Sequence, residues 1–155
     1  MKLVFLVCIL YVIQFYFPPI YIFNTTLSVD IILLFLTVYG IKNKRIYCIF
    51  LGFLTGLIQD LNTQINLVGA FSIAKTISGY AFGTIYNYEK IWSKHLKFIF
   101  IFMVYILHNS IYYYLKLFSL IEFSLIIQLI LLQSIISIII LQIVNIFFYN
   151  NKLIK

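Results

Sequence analysis

The spacing of its charges constrains this chain most. Long apolar stretches are broken at intervals by short basic clusters and by little else. The apolar segments run Leu3–Phe17, Leu27–Ile41, Ile46–Leu61, Leu67–Tyr86, Leu96–Leu117 and Phe123–Tyr149. A soluble domain is about 45–50% apolar and about a quarter charged. Here 64% of the 155 residues are hydrophobic and 10% are charged, too few to clothe a water-facing surface. A spanning helix takes roughly 20 apolar residues. Six such segments use up the chain and predict an all-α membrane protein, with residues 1–155 as a single polytopic domain of six transmembrane helices.

Basic residues give this arrangement a direction, because Lys and Arg collect on the cytoplasmic side of short loops. Lys2, then Lys42, Lys44 and Arg45, then Lys90, Lys94 and Lys97, then Lys152 and Lys155 fall on alternate connections. Six crossings place those nine of the eleven basic residues on one side, with both termini in the cytoplasm. The other side keeps Lys116, and Lys75 lies inside the fourth segment. The net charge of +7 is thereby read as orientation and not as nucleic-acid binding. The first apolar run is expected to remain as a span, since Pro18-Pro19 follows it without a small-residue cleavage site. The second is short for a bilayer, so the Pro18–Thr26 stretch is expected near the outer interface, with Tyr16 and Tyr21. Cys8 and Cys48 stand alone in apolar surroundings and read as small packing residues.

All six glycines fall between Gly40 and Gly83. Gly52 and Gly56 form one GxxxG, Gly79 and Gly83 another, with Ala70, Ala74 and Ser78 as a second row of small residues. Small residues let helix backbones approach closely in lipid. The third and fourth segments are therefore expected to form the tight centre, with Gly52, Gly56, Gly69, Gly79 and Gly83 as packing positions. The first, fifth and sixth segments form the lipid- or partner-facing shell.

Asp30, Asp60 and Lys75 are the charges within or at the edge of segments. Intramembrane charge is costly and faces a partner or a wet cavity. Side chains lean toward a helix N-terminus, outward for the fourth segment. Lys75 is thus expected to pair with Asp60 beneath the outer surface, with Asp30 as a second carboxylate in reach. His108 is expected to be a buried, hydrogen-bonded histidine and His95 a solvated one. Gln128, Gln133, Ser134, Ser137, Gln142 and Asn145 of the sixth segment spread around the helix and define no single stripe. No HExxH, GxSxG or phosphate-binding glycine loop is present, so no catalytic, cofactor or metal residues are assigned and an enzyme is not expected.

A family resemblance emerges from the centre of the chain. Ser28-Val29-Asp30-Ile31-Ile32-Leu33 opens the second segment, and Val38-Tyr39-Gly40 closes it. Gly52-Phe53-Leu54-Thr55-Gly56-Leu57-Ile58-Gln59-Asp60-Leu61 follows, then Leu67-Val68-Gly69-Ala70 and Ser78-Gly79-Tyr80. This ordered set, over roughly residues 27–83, resembles MreD, the bacterial rod shape-determining membrane protein family. Val29 stands where that family often has proline, and Lys75 is an unusual charge for its span. The resemblance implies a non-enzymatic scaffold of the elongasome in the cytoplasmic (inner) membrane. Such a scaffold binds the single span of MreC and indirectly serves MreB filaments and the peptidoglycan synthases. It also implies a fold like the six-helix substrate-binding subunits of energy-coupling-factor vitamin transporters. A small-molecule-binding transporter subunit is the alternative. Against it, Leu3–Phe17 lacks the small Gly or Ala residues with which many such subunits dock a partner.

Overall fold

A computed structural model describes residues 2–18, 20–22, 25–63, 69–117 and 123–149. The described residues form six α-helices and one small hairpin. Helix α1 is Lys2–Tyr16, α2 Ile31–Lys42, α3 Arg45–Thr63, α4 Ala70–Asn87, α5 Lys94–Leu117 and α6 Phe123–Tyr149. Each predicted apolar segment corresponds to one helix. Two of the helices, over Lys94–Leu115 and Phe123–Phe147, are long and apolar enough to cross a membrane. Lys152, Lys155 and residues 64–68, which include the Leu67-Val68 of the resemblance, lie outside the described residues.

Local chemistry sets the ends. Helix α1 stops before Pro18-Pro19, which cannot donate to a continuing helix. The 12 residues of α2 rise about 18 Å at about 1.5 Å each, matching the shortness of its segment. Between α1 and α2 the chain turns back as the antiparallel strands β1 (Ile20–Ile22) and β2 (Thr25–Leu27), with Ile20 opposite Leu27. Helix α5 begins at Lys94, two residues ahead of its predicted segment. Ser93 Oγ accepts from the Leu96 backbone N–H at 3.4 Å there, as an N-cap serine does. Lys97, one turn in, is consequently buried while His95 is exposed.

Helices α3 and α4 run antiparallel in close backbone contact, and glycine makes it possible. A Cβ on Gly83 would stand 2.6 Å from Arg45 Cα, and one on Gly56 2.5 Å from Ser72 Cα. Between these, Gly79 faces the Cys48 carbonyl and Gly52 the Lys75 carbonyl. Backbone thus meets backbone from Arg45 to Gly56 of α3 and from Phe71 to Gly83 of α4, the close approach that small residues permit between apolar helices. Gly40 brings α2 onto the same helix, with a notional Cβ 2.5 Å from Phe82 Cβ. Gly69 is different, and its assignment to packing is corrected. Nothing lies within 4 Å of its Cβ position, but its φ of +111° is one that side chains rarely adopt.

The apolar interior has two parts. One joins Leu33, Leu36, Phe82, Ile85, Ile101, Tyr105 and Leu141 from α2, α4, α5 and α6. The other gathers Leu27, Phe71, Tyr112, Tyr113, Ile126 and Leu129 near the opposite end. Helix α1 stays peripheral, with Val4, Phe5, Val12 and Phe15 exposed. Polar tethers hold it: Tyr11 Oη donates to the Thr55 carbonyl at 2.5 Å, and Gln14 Oε1 accepts from the Ile32 N–H at 3.1 Å.

Candidate functional site

Between the two apolar clusters lies a polar centre built from α3, α4, α5 and α6 and the start of α2. Its core is Lys75, fully buried on α4. The ammonium lies 2.9 Å from Asp30 Oδ2 as an ion pair and donates to Asp30 Oδ1 at 3.0 Å. It also donates to Gln59 Oε1 of α3, and the Phe71 ring centroid is 5.6 Å away. Asp30 does double duty. As the N-cap of α2 its Oδ1 also accepts from the Leu33 N–H at 2.9 Å, where the helix terminus favours negative charge.

The expected pairing of Lys75 with Asp60 is therefore corrected: the carboxylate that meets the ammonium is Asp30. Asp60 is committed elsewhere. Its Oδ1 accepts from the Phe71 N–H at 2.9 Å, and its Oδ2 from the Ser72 N–H at 2.9 Å and Ser72 Oγ at 2.6 Å. The reason lies at the start of α4. Its N-cap residue is Gly69, which has no side chain to satisfy the first N–H groups. The last turn of α3 supplies that cap across the helix pair. The lean of Lys75 toward the start of α4 then brings it to Gln59 and Asp30.

Around this core the remaining polar side chains of α4, α5 and α6 are joined. His108 is buried, with Nε2 3.8 Å from Asp30 Oδ2 and Nδ1 3.3 Å from Ser78 Oγ. Neighbouring Asn109 faces another way and donates to Ser134 Oγ of α6 at 2.9 Å. Gln133 reaches the Ser28 carbonyl at 3.0 Å and accepts from Tyr113 Oη, which ties α6 to the approach of α2. Gln133, Ser134, Ser137 and Asn145 are thus the inward polar positions of α6, whereas Gln128 and Gln142 are exposed. Thr37 and Tyr105 make a smaller α2–α5 link at 3.0 Å.

Of the sequence-predicted residues, the structure brings Asp30, Lys75 and His108 together, with Asp60 one helix end away. Gln59 was not singled out, although it precedes Asp60 and ends the glycine stretch. Ser72, Ser78 and Tyr113 were not linked to the centre either. The arrangement suits adhesion: a buried cation met by a carboxylate and an amide, with backbone donors capped by aspartates. Among the described residues no group of three or more His, Cys, Asp and Glu could hold a metal ion.

Two apolar grooves lie outside this centre. One, of about 670 Å³, runs between α1, α2 and α6, and the other, of about 640 Å³, between α4, α5 and α6. No family model matches the chain, and no curated protein or solved structure matches it either.

Proposed function

We propose that the chain is a six-span scaffold of the bacterial cytoplasmic membrane, with both termini cytoplasmic, and that it acts as MreD proteins do. On this reading it holds the membrane span of MreC and helps couple MreB filaments to lateral peptidoglycan synthesis. One observation carries it. The residues on which the resemblance rests, scattered from Asp30 to Gly79 in sequence, do one structural job. Gly52, Gly56 and Gly79 bring α3 and α4 into backbone contact, Asp60 caps α4, and Asp30 caps α2 while meeting Lys75. A family signature is expected to be a set of this kind, with each member needed for the same rigid frame. The bulkier, glycine-free α1, α5 and α6 around the frame suit contact with another protein's span.

The alternative, a vitamin-binding transporter subunit, needs a pocket with a few convergent polar groups. The larger groove is lined by Leu, Ile, Val and Phe alone, and the polar side chains of the centre bond chiefly to one another. Purification of the chain co-expressed with MreC, followed by small-molecule analysis, separates the two. The scaffold reading expects MreC in the complex and no stoichiometric vitamin. A bound vitamin with no retention of MreC contradicts it.

A further inference from the structure

We infer that the groove between α1, α2 and α6 holds an acyl chain of an anionic phospholipid, from the leaflet facing the basic ends of the helices. The inference rests on the membrane-spanning reading above and adds a ligand to it. Leu6 and Leu10 of α1, Leu34 and Val38 of α2, and Ile140 and Val144 of α6 line the groove. Its volume of about 670 Å³ is that of a ligand pocket, yet no lining side chain can hydrogen-bond a polar solute. An acyl chain needs nothing more than such a wall.

The choice of headgroup comes from helical register. Residues four apart share a helix face. Leu10, Leu6 and Lys2 follow one another at that spacing toward the start of α1. Val38 and Lys42 do so toward the end of α2. Both walls of the groove therefore reach a lysine position at the same end, where α1 begins and α2 finishes. Apolar walls leading to two basic positions complement a chain with a negative head. A zwitterionic lipid would gain the wall and not the charge. A basic residue near a membrane surface favours anionic lipid about fivefold.

The test uses the full chain in detergent micelles, with dioleoyl phosphatidylglycerol or dioleoyl phosphatidylcholine added, and retained lipid counted by native mass spectrometry. One phosphatidylglycerol per chain is expected, in preference to phosphatidylcholine. Lys42→Gln should cut that preference about fivefold. Val38→Trp and Leu10→Trp, which fill the groove from opposite walls, should lose the retained lipid. Two separate positions keep the test open where one variant misfolds. Equal retention of both lipids by the native chain, or undiminished retention by both filled variants, overturns the inference. So does a groove occupied by another protein's span that excludes lipid. Alkaline carbonate extraction separates the two levels: a chain released into the aqueous fraction sinks the membrane reading itself, whereas an embedded chain retaining no lipid sinks only the groove.

Discussion

Removing the charge of Lys75 should be among the most damaging single changes this chain can suffer. In Lys75→Met a side chain of similar length stays in place, but Asp30 is left buried at 7% exposure with its ion partner gone. Breaking a buried pair from one side costs about 3–5 kcal/mol, whereas replacing both charges is often close to neutral. The second substitution needs care, because Asp30 is also the N-cap of α2. Asp30→Leu would lose that cap at about 1 kcal/mol, while Asn caps about as well as Asp. Asp30→Asn combined with Lys75→Met should therefore recover most of the loss, and Asp30→Leu with Lys75→Met should fall about 1 kcal/mol short of it. Reversible unfolding in mixed micelles, followed by circular dichroism, measures the native chain, Lys75→Met, Asp30→Asn, Asp30→Leu and the two double variants. Strictly additive losses would show that the two side chains are not energetically coupled. Lys75→Met with native stability would show that Asp30 needs no cation, which refutes the reasoning at its root.

Gly56→Leu must drive a side chain into the α4 backbone, 2.5 Å from Ser72 Cα. It should cost at least the about 1–3 kcal/mol typical of overpacking, read as lost accumulation of folded protein. Gly69→Ala should be destabilising too, by about 1–3 kcal/mol, through its backbone angle alone and without a clash. Asp60→Ala should expose α4 to the loss of three donors' partner and lower the unfolding midpoint, while Asp60→Asn keeps part of the cap. A cysteine at the exposed Ser93 should react in intact cells only with membrane-permeant reagent, and labelling from outside would invert the topology.

The helix boundaries were legible because few residues can end an apolar helix: Pro18-Pro19, the Lys42–Arg45 cluster and the polar residues after Asn87 do so here. The α3–α4 contact was legible from residue size, since glycine pairs have little other use in an apolar helix. Gly69 shares the composition but not the role, and nothing short of its backbone angle separates it from the other glycines. The partner of Lys75 was half legible. Depth and direction pointed to the aspartates, but both were equally acidic in sequence. Asking which helix starts without a capping side chain would have assigned Asp60 to α4, since Gly69 offers none. Gln59 was obscured because an amide carries no charge to mark it. The hairpin of three-residue strands was missed because strands so short show no periodicity.

The proposed function requires this chain to hold another protein's span within the membrane. Its most direct measurement is co-purification with MreC cut down to its cytoplasmic start and single span, set beside MreC lacking that span. The truncated form is expected to stay bound through detergent extraction, and the spanless periplasmic part is not. Retention of the periplasmic part alone, with loss of the isolated span, would contradict it.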